Sequence, residues 1–148
     1  MSRVRASVAL LLAGLLAACS SMPYAQRRQQ RMAAYRAAAG APVRSFRFVG
    51  TMWSWEPLGD TELVVYTRPD RAWLIDVGAS CPNLPFANVI GLTSSFDEVS
   101  VGFDRVLTGR GYIPCTISRI RPLDVAKLKI EQAKQREVEV EPRKPAGG

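Results

Sequence analysis

The chain has 148 residues and a formal net charge of +7, from 20 lysines and arginines against 13 acids, and it contains no histidine. This length leaves room for one small domain with one hydrophobic core. The absence of histidine excludes Ser-His-Asp and Cys-His nucleophilic sites and histidine-bearing zinc sites, while the mixture of acids and bases argues against a nucleic-acid partner.

The first 18 residues have the three parts of a bacterial export signal: a basic start, an apolar stretch and small residues before a cleavage site. The apolar run, residues 8–16, is shorter than the roughly 20 residues that a membrane-spanning helix needs. The run Leu16-Ala17-Ala18-Cys19 resembles the lipobox of bacterial lipoproteins, in which the cysteine sulfur receives a diacylglycerol before the signal is removed. An ordinary signal peptide that happens to precede a cysteine is the alternative.

We therefore expect a lipoprotein signal peptide over residues 1–18 and lipid attachment at Cys19, with acyl chains such as palmitate as the membrane anchor. Two or three acyl chains hold a protein firmly, whereas one chain binds only marginally. Ser20 stands where, in the enterobacterial pattern, an aspartate would retain the protein at the inner membrane. The resemblance implies anchorage in the inner leaflet of the outer membrane, facing the periplasm.

Residues 19–43 are rich in glutamine, arginine and alanine, and we interpret them as a basic tether that is partly helical. Good helix formers fill residues 24–39, and Gly40 and Pro42 supply a stop. Because large apolar side chains are few, we expect this helix to be solvated. Its arginines predict either attraction to anionic head groups or a spacer that keeps the domain off the membrane.

A single β-rich domain is predicted over residues 44–135. Phe46 and Phe48 alternate on one face, and the alternation changes phase across Gly50, which predicts a bulge or bend. The clearest element is a hairpin with strands at residues 62–67 and 72–77, joined by a turn whose proline suits a type I turn.

Shorter runs predict strands at residues 87–92, 98–103 and 112–120. Pro114 lacks an N–H, so the last strand should lie at an edge there or enter the sheet after it. Alternation then predicts that Ile113, Cys115 and Ile117 face the core.

A helix is expected after Pro122 and as far as residue 135, with an apolar stripe of Leu123, Ala126, Ile130 and Ala133. Residues 136–148 have little that could pack and are predicted to be disordered. The expected fold is mostly β: a small antiparallel sheet or partly closed barrel of five or six strands with a C-terminal helix. An open α+β sheet is the alternative.

Cys81 and Cys115 predict a structural disulfide, because exported proteins meet an oxidising compartment. Closing a loop of about 35 residues stabilises a fold by roughly 3 to 4 kcal/mol in the chain-entropy model. The wide spacing of the two cysteines disfavours a redox role, which favours a close pair.

Paired carboxylates are the remaining catalytic option, since a glycosidase needs two acids a few ångströms apart. Nothing in the sequence marks two acids as a pair, and most of the candidates are expected to be exposed turn and edge residues, with only Asp76 half-buried between Ile75 and Val77. The candidates are Glu56, Asp60, Glu62, Asp76, Asp97, Glu98 and Asp104. Their spacing lacks the calcium-loop pattern, so we assign no catalytic residue, no metal and no cofactor.

Trp53 and Trp55 form the candidate binding surface, because aromatic side chains at a strand edge stack on sugars or anchor a partner. A small sheet also needs large side chains in its core, and the core is the favoured interpretation of this pair.

Five segments resemble a family of uncharacterised proteobacterial lipoproteins, common in xanthomonad relatives. They are residues 55–60, 67–72, 81–82, 90–93 and 115–124, which include both cysteines. The resemblance implies a shared fold, two matched cysteines and an envelope location. It carries over no catalytic residue.

Together these features favour a non-enzymatic cell-envelope lipoprotein, a binding or structural module in the periplasm. Its expected partners are the membrane, through the lipid on Cys19, and an envelope protein or glycan. Two alternatives remain open at this point: a small carboxylate-dependent glycan hydrolase, and an inhibitor of a periplasmic hydrolase such as lysozyme.

Overall fold

The computed structural model describes residues 23–140. The predicted signal peptide, Cys19, Ser20 and the last eight residues of the predicted tail lie outside this range. The elements in chain order are α1 (Tyr24–Ala38), β1 (Ser45–Arg47), β2 (Ser54–Pro57), β3 (Glu62–Arg68), β4 (Arg71–Val77), a 3-10 turn (Leu84–Phe86), β5 (Gly91–Leu92), β6 (Glu98–Ser100), β7 (Arg105–Leu107), β8 (Cys115–Leu123) and α2 (Val125–Val140).

The described residues divide between two units at Gln30 and Arg31. In the first unit, the described part is residues 23–30, which include the first two turns of α1. Both sheets, α2 and the last two turns of α1 belong to the second unit.

Six antiparallel strands form a half-barrel sheet in the order β2-β3-β4-β8-β7-β5, and β1 pairs with β6 in a separate two-stranded sheet. The predicted mostly-β fold with a partly closed barrel and a C-terminal helix is confirmed. The chain passes from the small sheet to the large one at Gly50, whose φ of 72° suits glycine, so the predicted bend is present.

The predicted hairpin is confirmed as β3 and β4, with Tyr66 opposite Ala72 and Glu62 opposite Asp76. Both strands are buried on both faces in their middle, where Leu63, Val64 and Val65 have no exposed surface. Alternate side chains of a strand point to opposite faces, so this hairpin contributes to two cores.

The inner core lies between the half-barrel and the small sheet and contains Leu63, Val65, Ile75, Ile117 and Phe46. The second core lies on the other face of the hairpin. Its members include Val64 and Leu74 of the sheet, Tyr35 of α1 and Leu128 of α2.

The expectation that α1 is solvated is wrong for its last two turns. Tyr35 is 1% exposed, and the small side chains of Ala34 and Ala38 are buried beside it. After the helix, the Gly40 N–H donates to the Pro122 carbonyl at 2.8 Å and the Val43 N–H donates to the Ile120 carbonyl at 2.9 Å. The small side chains of Ala34 and Ala38 let α1 approach the sheet closely. Residues 40–43, which follow the helix, then run along the part of β8 that does not pair with β7.

Several predicted bounds are wrong. The last strand begins at Cys115, directly after Pro114, so the prediction that it enters the sheet after the proline is confirmed but Ile113 is 87% exposed and outside the core. Residues 87–90 are not a strand, and β7 was not predicted.

Helix α2 begins at Val125, where the Asp124 carboxylate caps it by accepting from the Lys127 N–H at 2.9 Å. The helix continues to Val140, which corrects the prediction of disorder from residue 136. The predicted apolar stripe is also wrong in part, because Leu128, which is not in the stripe, is buried and Ile130 is 56% exposed.

Candidate functional site

A charged cluster of two carboxylates and three arginines lies on the face of the sheet that α1 covers. Its members come from α1, β3, β4 and β8, and they line an open depression of about 500 Å³ together with short neighbouring residues. The members are Arg36, Glu62, Asp76, Arg119 and Arg121.

Arg121 is the centre of the charged cluster. Its Nη2 atom lies 2.8 Å from Asp76 Oδ1 and 3.4 Å from Glu62 Oε1, so the two carboxylates share one cation. All three side chains are largely buried, with exposed fractions of 14% for Arg121, 16% for Asp76 and 8% for Glu62. The strand register brings the two carboxylates together, because Glu62 and Asp76 are directly opposite on paired strands.

Two further arginines complete the charged cluster from its exposed side. Arg36 Nη2 lies 2.7 Å from Glu62 Oε2, and Arg119 Nε lies 3.3 Å from Asp76 Oδ2. The hydrogen bond from Arg36 to Glu62, and then the charge of Glu62, raise the pKa of Arg36, which keeps this arginine protonated. Each carboxylate is therefore held by two guanidinium groups, which favours a structural role.

The acids considered from the sequence divide in three ways. Asp76 is half-buried as predicted, and Asp97 and Glu98 are exposed as predicted. Glu62 and Asp104 were expected at the surface but are buried, and Glu56 and Asp60, also expected there, are half-buried. The Asp104 carboxylate accepts from Thr93 Oγ1 and from the Ser100 N–H, both at 2.7 Å, so it stabilises a turn.

Within residues 23–140 no group of three or more Cys, Asp or Glu side chains is placed to hold a metal ion.

The two tryptophans are separated from the charged cluster by the sheet. Trp55 is half-buried and packs against the inner core, on the face opposite Glu62 and Asp76. Trp53 is 67% exposed and precedes β2, with its backbone N–H donating to the Tyr66 carbonyl at 2.8 Å. The structure therefore gives Trp55 a packing role and leaves Trp53 exposed.

A second candidate lies at one end of the half-barrel, which we call the apolar end. It consists of two loops, residues 78–90 after β4 and residues 108–114 between β7 and β8. The register places them together, since Val77 pairs with Ile117, Gly91 with Leu107, and Val106 with Cys115. In the sequence of these loops Arg110 is the only charged residue.

Large side chains are exposed on both loops of the apolar end. The exposed fractions are 81% for Phe86, 73% for Val89, 53% for Tyr112 and 87% for Ile113. Sequence alternation had placed Ile113 in the core. The two glycines before it and Pro114 after it were the features that could have placed this residue in a loop.

Cys81 and Cys115 tie the two loops together. They lie at disulfide-bonding distance with Cα atoms 5.9 Å apart, which confirms at the level of distance the pairing predicted from the sequence. Beside them is a cavity of about 690 Å³, lined by both cysteines, by Pro82 and Asn83 of the first loop and by residues 111–114 of the second.

The second loop has a shape that only glycine allows. Gly109 and Gly111 have φ angles of 129° and 81°, a region that favours glycine. A Cβ atom on Gly109 would lie 3.3 Å from the Tyr112 ring, so the ring rests on the glycine backbone. The Tyr112 ring therefore packs on one side against this backbone, while Ile113 is exposed.

Among the described residues, neither helix is long and apolar enough to cross a membrane. No curated protein and no solved structure matches the chain. Residues 2–139, nearly the whole chain, match the profile of a family of unknown function, and the chain therefore belongs to this family, DUF6491.

Proposed function

We propose that the chain is a non-enzymatic lipoprotein of the bacterial cell envelope whose β domain binds another envelope component. In this proposal the lipid on Cys19 anchors it in the inner leaflet of the outer membrane, facing the periplasm. The lipobox-like run before Cys19 supports the anchor. The paired Cys81 and Cys115 support an oxidising compartment.

The observation that carries the binding role is the apolar end. Soluble monomers seldom group large exposed apolar side chains, and such groups are typical of interaction sites. Here Phe86 and Ile113 are exposed on two loops that are joined through Cys81 and Cys115, and this link limits how far the loops can move apart. A preorganised surface binds with less loss of conformational entropy.

The charged cluster supports the non-enzymatic part of the proposal. A glycosidase needs one carboxyl group that is protonated and free to donate to the leaving oxygen. Glu62 and Asp76 are each held by two arginines, so neither carboxyl group is free to donate to a bound sugar. Their ion pairs fasten α1 and β8 to the hairpin.

Intact mass of the protein purified from membranes, with and without reduction and alkylation, tests the anchor and the compartment. We expect the mass of a chain cleaved before Cys19 and carrying acyl chains, with Cys81 and Cys115 alkylated only after reduction. An unlipidated chain with both thiols free would contradict the proposal.

A carboxylate-dependent glycan hydrolase is the second candidate function, because Glu62 and Asp76 do meet around one cation. Incubating the purified protein with peptidoglycan and analysing the released fragments separates the two. We expect the protein to release no fragments from peptidoglycan. Release that is lost in both Glu62→Gln and Asp76→Asn, but kept in the matched Glu98→Gln variant, would establish the hydrolase instead.

A further inference from the structure

We infer that the apolar end docks on the phospholipid bilayer that carries the lipid anchor, with Tyr112 and Ile113 inserted at the level of the head groups. This inference rests on the proposed function and names the partner of the proposed binding surface. The residues of the second loop, their charge and their distance along the chain from Cys19 support it.

The second loop, residues 108–114, has the composition of an interfacial segment. In the order Arg110-Gly111-Tyr112-Ile113 it offers a cation, an amphipathic ring and an aliphatic side chain. Tyrosine is enriched at membrane interfaces, where its ring lies at the head groups, and an arginine beside it suits the lipid phosphate. The strand pairing of Val106 with Cys115 and the cysteine pair Cys115–Cys81 hold the end of this loop next to the first loop.

The charges around the second loop permit contact with an anionic bilayer. Neither loop of the apolar end contains an acid. The nearest acid in the adjoining loop, Asp60, accepts a hydrogen bond from Ser80 Oγ at 2.8 Å. The charge carried by the two loops themselves is thus that of Arg110, which attracts an anionic surface, while Asp60 keeps its negative charge beside them because a hydroxyl group does not neutralise it.

The length of the connecting chain favours the bilayer over a second protein. Arg31, the first residue of the compact unit that holds the sheets, is 12 positions after Cys19. Twelve residues span at most about 40 Å even when fully extended. An anchored domain is therefore always within reach of the membrane, and a weak contact is populated because its effective concentration is high.

The test uses the lipidated protein reconstituted into phosphatidylcholine–phosphatidylglycerol vesicles, with the environment-sensitive fluorophore NBD on Ile113→Cys. The native cysteines do not react, since Cys19 carries the lipid and the other two are paired. Ile130→Cys on α2 is the matched control, because that isoleucine is also exposed but lies outside the apolar end. Val89→Cys gives a second position on the apolar end.

We expect NBD emission to shift to shorter wavelength at positions 113 and 89, and brominated phospholipids to quench it at least twofold, with neither effect at position 130. Aqueous emission at positions 113 and 89 in protein that floats with the vesicles would overturn the docking and leave the anchor standing. If the NBD emission is aqueous in vesicles but shifts to shorter wavelength in whole cells, the apolar end binds a protein partner instead of the bilayer. Protein that does not float with vesicles at all would contradict the proposed anchor and the docking together.

Discussion

Glu62 on β3 lies directly opposite Asp76 on β4, and a single nitrogen of Arg121 contacts both carboxylates. Two like charges directly opposite on paired strands repel each other and destabilise a sheet. Arg121 offsets this repulsion by contacting both carboxylates, and it thereby links the hairpin to β8. The stability of the sheet therefore depends on a side chain that is 59 positions from Glu62 in the sequence.

Replacing Arg121 with methionine should destabilise the protein strongly. Breaking a buried ion pair typically costs about 3 to 5 kcal/mol. Without Arg121, Glu62 and Asp76 would lose their shared buried partner and each would keep only one exposed arginine. Urea unfolding monitored by tryptophan fluorescence measures the change. Arg119→Met is the control, since Arg119 is 56% exposed and an exposed pair contributes about 1 kcal/mol or less. Equal losses in the two variants would contradict a central role for Arg121.

Truncating Tyr35 should show that the end of α1 is part of the folded domain. Tyr35 is 1% exposed and donates a hydrogen bond to Glu56 at 2.7 Å. We expect Tyr35→Ala to cost about 3 to 5 kcal/mol of unfolding free energy and Tyr35→Phe about 1.5 kcal/mol. Phe103→Ala, which truncates an aromatic ring that is 86% exposed, should cost little. A Tyr35→Ala protein as stable as wild type would support a solvated tether.

Removing the cysteine pair should lower stability without changing the fold. Cys81 and Cys115 are 34 positions apart, and a loop of this length contributes about 3 to 4 kcal/mol in the chain-entropy model. The double variant Cys81→Ala/Cys115→Ala should therefore unfold at lower urea concentration than oxidised wild type. Reductant should shift wild type toward the double variant and leave the double variant unchanged. No effect of reductant on wild type would show that the pair is not bonded in solution.

Alkaline pH should destabilise the protein through Tyr66. Burial, and then the neighbouring Tyr35, raise the pKa of Tyr66 to about 12, compared with about 10 in an unfolded chain. Between these values the folded state binds more protons than the unfolded state, so the free energy of unfolding falls as pH rises from about 10 to 12. Tyr66 is partly exposed, and solvent screening reduces the size of this effect.

Urea unfolding at pH 9 and pH 11 tests this expectation against Tyr66→Phe, which cannot ionise at that position. Wild type should lose more stability between the two pH values than the variant does. A difference spectrum that shows Tyr66 ionising near pH 10 would contradict the shift.

The sequence by itself determined the hairpin, the bend and the cysteine pair. Each depends on local chemistry: a proline-containing turn flanked by alternating β-branched residues, a glycine where the phase of alternation changes, and two cysteines that follow a segment with the pattern expected of an export signal. The mostly-β class follows from the same periodicity.

The tertiary structure alone decided which charges meet and which apolar residues stay exposed. Arg36, Glu62 and Arg121 lie on different elements, and pairing between distant strands has no counterpart in local periodicity. Ile113 continues the alternation of β8 and so resembles a core residue in the sequence. It is exposed because Pro114 cannot donate to the ladder and the strand begins one residue later, at Cys115.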